Sequence, residues 1–168
     1  MALPRVSLER PSSRLIHRSQ DVATSAQTAF ALICEVEKWP VWLSFVVSAR
    51  RIDDGHPLAL GSEIAIRSAL PGEEEQLFEV DGFIEGHMLS LVGAYSVRRR
   101  VDFRVESKTE RSKIVVRMDY PTYGGVVGAL IDRFTHRRRL DVALADALIH
   151  FKGLAEYERN PQAPLDDF

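Results

Sequence analysis

The stretch that decides the fold is Val126–Tyr157, with the sequence VVGALIDRFTHRRRLDVALADALIHFKGLAEY. Its apolar residues recur at steps of three and four, as the 3.6-residue period of an amphipathic helix requires. These residues are Leu130, Phe134, Leu144, Leu148, Phe151 and Ala155. The segment contains no proline, so we expect one helix of roughly 45 Å at ~1.5 Å per residue. A helix of that length must lie against something large, which the upstream chain has to supply.

Upstream, segments that alternate between apolar and polar residues are separated by turn formers such as Pro71-Gly72 and Glu85-Gly86. The clearest alternation places Val101, Phe103 and Val105 on one face and charged residues on the other. One polar and one apolar face are typical of an antiparallel sheet covered on one side. We predict seven strands, at Arg14–Val22, Phe45–Asp53, Ser62–Ser68, Glu75–Phe83, Met88–Tyr95, Arg98–Ser107 and Lys113–Tyr120.

Between the first two strands the sequence predicts a helix with Thr24 or Ser25 as its N-cap, running through Cys34. Pro40 ends that helical stretch, and a short second turn carries Trp42. The element order therefore predicts an α+β domain in which the long helix covers the apolar face of an antiparallel meander. We expect a flexible leader at 1–13, the domain at 14–158 and a tail at 159–168.

Composition narrows the function classes. The chain has 168 residues, with 45% hydrophobic and 27% charged, which is ordinary for a globular domain. A net charge of −2 argues against a general nucleic-acid binder, which would carry a basic excess. Two basic clusters, Arg98–Arg100 and Arg137–Arg139, have acidic neighbours, and we interpret each as a solvated face.

Motifs for metals, cofactors and nucleophiles are missing from the sequence. Cys34 is the single cysteine, and a buried small residue is a better interpretation of it than a nucleophile. The five histidines show no metal-ligand spacing, and there is no phosphate-binding loop and no nucleophile elbow. We expect no metal and no cofactor. Without a signal peptide or an apolar run of about 18 residues, a cytoplasmic monomer or homodimer with no membrane segment is expected.

Three groups of residues carry a resemblance to a known family. They are Ala26–Phe30 followed by Val36–Trp42; Leu60-Gly61-Ser62; and Tyr120-Pro121 with Gly124-Gly125, Leu130–Arg133 and Arg137–Leu140. With the element order, they resemble the helix-grip fold of the START/Bet v 1-like (SRPBCC) superfamily, especially its bacterial polyketide cyclase/dehydrase-like branch. The aspartate that the family has before its second helix is absent here, where Glu35 and Glu37 stand instead.

The resemblance implies a seven-stranded curved sheet that wraps the long helix, with a deep, largely apolar cavity between them. Members bind lipids, aromatic polyketides, quinones or hormones there, and some catalyse cyclisation or dehydration. The inward positions of the predicted elements give the candidate ligand-binding residues: Trp42, Phe78, Leu91, Val101, Phe103, Val116, Met118, Phe134, Asp141, Leu144 and Leu148. In the strand predicted at Ser62–Ser68, an inward orientation of Ile64 and Ile66 directs Ser68 to the cavity and Arg67 to water.

The catalytic residues are unknown, and four candidates stand out. Arg137 and Asp141 lie one turn apart on the apolar stripe of the long helix, either as an ion pair directed into the cavity or in solvent. Tyr95 and Tyr120 stand near strand ends, where a phenol could donate a proton, although neither has a visible base partner. Trp42 either stacks on a ligand or packs the short helices onto the sheet.

Three hypotheses follow. The first is a binding protein for a small hydrophobic molecule, because the fold pattern is complete and no catalytic constellation is recognisable. The second is a polyketide cyclase or dehydratase-like enzyme acting in the same cavity. The third, weaker hypothesis is a protein-interaction role through a basic patch shared by Arg98–Arg100 and Arg137–Arg139.

Overall fold

The computed structural model describes residues 13–53, 55–69, 75–94, 99–121 and 136–159. Seven strands and three α-helices are present in these ranges, and they confirm the predicted element order. The strands are β1 (Ser13–Val22), β2 (Val46–Arg51), β3 (Glu63–Ser68), β4 (Gln76–Ile84), β5 (Met88–Gly93), β6 (Arg100–Lys108) and β7 (Arg111–Pro121). The helices are α1 (Ala26–Cys34), α2 (Trp39–Trp42), which follows a 3-10 turn at Val36–Lys38, and α3 (His136–Arg159).

The strands form one antiparallel sheet in the order β1-β7-β6-β5-β4-β3-β2. Strands β2 to β7 are a meander of sequential neighbours, and β1 closes the series by pairing with β7. The chain therefore leaves the sheet after β1, passes through α1 and α2, and re-enters at the opposite edge. This is the helix-grip α+β fold that the sequence predicted.

The two faces of the sheet follow the predicted alternation. Phe103 and Val105 on β6, with Ile114 and Val116 on β7, are at most 3% exposed and face the helices. One residue of the outer face is neither polar nor exposed, because Val115 is only 5% exposed. Strand β7 lies inside the sheet, and its neighbours place Ser19 and Arg104 on either side of Val115.

The short helices are fixed by local hydrogen bonds. Ser25 is the N-cap of α1, since its Oγ accepts a hydrogen bond from the Thr28 N–H at 3.1 Å. Helix α1 ends at Cys34, before Pro40, which is accommodated in the first turn of α2. The indole Nε1 of Trp39 donates to the Ile33 carbonyl at 2.8 Å and so ties α2 to α1.

Helix α3 covers the inner face of the sheet with one stripe of side chains. The predicted stripe is confirmed for Leu144, Leu148, Phe151 and Ala155, each at most 2% exposed. The predicted start of the helix at Val126, and the stripe residues Leu130 and Phe134, lie outside the described residues. No helix in the described ranges combines the length and the low charge that crossing a bilayer requires.

Candidate functional site

The space between the sheet and α3 is filled at one end. There the C-terminal half of α3 packs with α1 and α2, and aromatic rings fill the interior. The Phe151 ring lies 4.9 Å from that of Trp42 in an edge-on arrangement, and the Trp42 ring lies 6.1 Å from Phe103. Phe30, from α1, meets Phe83 of β4 at 5.7 Å. We call this region the filled end.

A cavity of about 80 Å³ lies at the other end, beneath the N-terminal half of α3. Its wall comes from the start of β2, β4 and β6 and from the end of β3, β5 and β7. Neighbouring antiparallel strands run in opposite directions, so these six positions lie at the same end of the sheet. The lining residues are Trp39, Leu43, Phe45, Val46, Ile66, Ser68, Gln76, Phe78, Leu91, Arg99, Val101, Phe103, Val116, Met118, Leu140 and Leu144. We call this region the cavity end.

The volume of the cavity limits what it can hold. At about 80 Å³ it is smaller than an engineered apolar cavity of ~150 Å³ that admits benzene, and far below the ~300–1,000 Å³ of drug-sized ligand sites. A short alkyl chain or part of a ring fits this shape, whereas a larger body must displace side chains. Met118 is the most adaptable of these, because its thioether chain is unbranched.

The structure brings together part of the candidate ligand-binding set. Seven of its members line the cavity: Phe78, Leu91, Val101, Phe103, Val116, Met118 and Leu144. Trp42 and Leu148 are buried at 1% and 2% exposure but belong to the filled end and do not line the cavity. Phe134 lies outside the described residues.

Asp141 lies beside the edge strand β1 and is not part of the cavity wall. Its carboxylate accepts hydrogen bonds from Nε of Arg18, at 2.8 Å, and from Nη2 of the same guanidinium. This hydrogen-bonded pair, together with the charge of Asp141, raises the pKa of Arg18. The pair joins the edge strand β1 to α3. The side chains of the other catalytic candidates, Arg137, Tyr95 and Tyr120, lie outside the described residues.

Two polar residues of the cavity wall were not predicted from the sequence, namely Gln76 and Arg99. Ser68, which the sequence directs inward, also lines the cavity, and Arg67 is exposed as expected. The signal for Arg99 was available in the alternation of β6. Stepping back two residues from the inward-facing Val101 reaches Arg99, but its position in a basic cluster favoured a solvated face.

The neighbouring Arg100 lies on the outer face, in a network with three polar side chains. Its guanidinium donates to Asp81 at 2.8 Å, to Asp102 at 3.0 Å and to Ser90 at 2.9 Å. Partial burial lowers the pKa of Arg100, but the charges of Asp102 and Asp81 outweigh this and raise it. The basic cluster is therefore divided between the two faces of the sheet, with Arg99 toward the cavity.

A second, wider groove of about 560 Å³ runs along α1 beside the β4–β5 turn. Cys34 lies in it, and burial, together with the charge of Glu85, raises the pKa of the thiol to about 11. A thiol with that pKa is protonated near neutrality and is a poor nucleophile. No group of three or more His, Cys, Asp or Glu side chains suited to a metal ion occurs within the described ranges.

A model of the family described as polyketide cyclase/dehydrase and lipid transport matches residues 14–156. The chain belongs to this family. The match spans every strand and nearly all of α3, so it covers both the filled end and the cavity end. None of the curated proteins compared with the chain matches it significantly.

Solved structures show the same fold at low sequence identity. The Zhui aromatase/cyclase from Streptomyces sp. R1128 has a TM-score of 0.70 at 12% identity, covering 92% of this chain and 100% of that one. A START superfamily protein from Mycobacterium smegmatis gives 0.63 at 18%, covering 86% and 98%. Norcoclaurine synthase from Thalictrum gives 0.64 at 16%, covering 90% and 99%. At these identities the likeness establishes the helix-grip fold.

Proposed function

We propose that the protein binds a small hydrophobic molecule between the sheet and the N-terminal half of α3. The observation that carries the proposal is the apolar cavity at this end of the sheet, whose wall draws on six strands, α2 and α3. Burying an apolar ligand surface there gives a favourable free energy of roughly 25 cal/mol per Å². The family includes both cyclases and lipid carriers by its description, and both must hold a hydrophobic molecule.

Binding is favoured over catalysis by the chemistry of the wall. Of the described residues that line the cavity, none carries a carboxylate, an imidazole or a phenol that could transfer a proton. Asp141, the catalytic candidate with a described side chain, is held by Arg18 outside the wall. A cyclase or dehydratase-like activity in the same cavity and a cytoplasmic location both stay predictions.

The first experiment is native mass spectrometry of the freshly purified protein, followed by solvent extraction and identification of any released molecule. A retained hydrophobic compound would support the proposal and give its chemical class. A protein that arrives empty is then titrated with hexan-1-ol, a neutral six-carbon chain, and amide chemical shifts at Leu91 and Val101 are followed by NMR.

A variant with the cavity filled provides the control. Replacing Leu144 by Phe places additional ring atoms where the cavity lies, and it should abolish the hexan-1-ol response. If wild type and Leu144→Phe respond equally, hexan-1-ol binds elsewhere and the proposal fails. If neither the extraction nor the titration detects a bound molecule, the proposal also fails.

A further inference from the structure

The cavity wall has a polar end. Three polar side chains interrupt its apolar lining: Ser68, Gln76 and Arg99. Ser68 is the last residue of β3, Gln76 is the first residue of β4, and Arg99 immediately precedes β6. These chain positions lie at the same end of the antiparallel sheet, so the three polar side chains lie toward the outer end of the cavity. The apolar residues Leu91 and Val101 lie opposite each other on β5 and β6, closer to the filled end than Arg99 does.

The backbone fixes where Arg99 enters the wall. Its carbonyl oxygen accepts a hydrogen bond from the Gly93 N–H at 2.8 Å, which joins the end of β5 to the start of β6. Gly93 in turn lies opposite Phe78 on β4, two residues beyond Gln76. Arg99 is the one charged side chain among the described residues of the cavity wall.

The chemistry of these groups matches an oxygen anion. A guanidinium is charged at every physiological pH and carries five N–H donors, so it can serve more than one acceptor at a time. The side-chain amide of Gln76 is half-buried in the same wall, and its two N–H groups are donors that an anionic oxygen accepts. Charge-assisted hydrogen bonds from such donors are stronger than neutral ones, particularly beside an apolar wall.

We infer that the polar end binds an anionic oxygen, a carboxylate or a phenolate, of a ligand whose apolar part lies against Phe78, Leu91 and Val101. Arg99 is the residue that distinguishes this anion from a neutral analogue, and Gln76 adds a second donor. The inference rests on the proposed function, because it assigns an orientation and a chemical class to the molecule in that cavity. The ligand is thus an amphipathic acid rather than a hydrocarbon.

The test compares hexanoate with hexan-1-ol, which share the alkyl chain and differ in the charged end. Dissociation constants are measured by NMR titration of the wild type and of Arg99→Met, which keeps an apolar stem without the guanidinium. Wild type should bind hexanoate at least about tenfold more tightly than hexan-1-ol, since hydrogen bonds to charged groups have about this effect. Arg99→Met should remove that preference, because it lowers the affinity for hexanoate much more than the affinity for hexan-1-ol.

Arg67→Met is the matched control, because Arg67 is an exposed arginine on the opposite face of β3 and should leave both affinities unchanged. If hexan-1-ol binds but wild type shows no preference for hexanoate, the inference fails and the proposed function stands. If neither compound binds, the proposed function fails first. If Arg99→Met does not fold, Arg99→Lys replaces it in the test. This variant should retain only part of the preference for hexanoate, because it keeps the charge but loses the planar fork of donors. An unchanged preference would overturn the assignment of Arg99.

Discussion

The two ends of the same sheet differ in what faces them. At the filled end, α1, α2 and the C-terminal half of α3 converge on the sheet, and residues such as Ile33, Ile114 and Phe151 have no exposed surface. At the cavity end, the sheet is met by the N-terminal half of α3, and Leu140 and Leu144 leave space beneath them. The helices inserted between β1 and β2 therefore fill one end of the interior, and the cavity lies at the other end.

An aromatic layer separates the two ends, and its two tryptophans have different surroundings. Trp39 lines the cavity, contacts Phe103 at a ring distance of 5.6 Å and satisfies its indole N–H on the Ile33 carbonyl. Trp42 packs on Phe151, and its buried Nε1 has no hydrogen-bond partner within the described part of the chain. The layer belongs to the core on one side and to the cavity wall on the other.

The largest expected effect concerns truncation at the filled end. Phe151→Ala should lower the free energy of unfolding by about 3–5 kcal/mol, because it leaves a void against Trp42 that the core cannot close. Phe78→Ala, at the cavity end, should cost clearly less, since one side of that ring already borders empty space. Urea unfolding followed by circular dichroism measures both, and equal losses would contradict the division into two ends.

The two ends should also differ in their response to a larger side chain. Leu148→Phe should destabilise the protein by about 1–3 kcal/mol, because the added atoms have no space at the filled end. Leu144→Phe, one turn earlier on the same helix, should change stability by less than this, because the cavity accepts the larger side chain. Thermal and urea unfolding of the pair check the prediction. A larger loss for Leu144→Phe would show that the cavity is not available space.

The sequence predicted the filled end better than the cavity end, for a physical reason. Periodicity reports burial, and burial of Leu144, Leu148 and Phe151 on one helical stripe follows directly from their spacing. The alternation of β6 likewise predicted which of its side chains face inward. Periodicity does not report whether an inward side chain meets another side chain or empty space, so Leu148 and Leu144 could not be distinguished.

The sequence also left open where the charged side chains at inward positions lie. Asp141 occupies the apolar stripe of α3, yet its partner is Arg18, which is 123 residues away in sequence and comes close because α3 packs on β1. Arg99, just before β6, continues the inward alternation of Val101 and Phe103, but its basic neighbours suggested solvent. For Asp141 the decisive contact is long-range, and the local pattern does not contain it. For Arg99 the local pattern contained the signal, and the charge of the cluster was given more weight.

A smaller effect is expected where α3 meets the edge of the sheet. Asp141→Asn and Arg18→Gln should each lower the urea midpoint slightly, by less than Leu148→Phe does, because both side chains are partly exposed to solvent, at 34% and 46%. The double variant should lose less than the two single losses added together, since both remove the same contact. The losses should shrink in about 1 M salt, where the Debye length falls to ~3 Å. Additive losses independent of salt would show that the pair does not connect α3 to β1.

The smallest effect concerns Cys34, in the groove beside α1 at the filled end. Burial, with a contribution from Glu85, raises the pKa of its thiol from 9.0 to about 11, so the folded state favours the protonated form. Its contribution to stability is therefore complete below about pH 8.5, where the unfolded thiol is also protonated, and is lost as the pH rises through about 11. Cys34→Ala should remove this part of the loss of stability at alkaline pH, measured as the difference between the free energies of unfolding of wild type and variant from pH 7 to pH 11.

At pH 8 the folded thiol should also react with iodoacetamide about a hundredfold more slowly than the unfolded one, because two pH units separate their pKa values. Equal rates would mean that the thiol is solvated, and that this side of the filled end is less closely packed than the burial of Phe30 and Ile33 indicates.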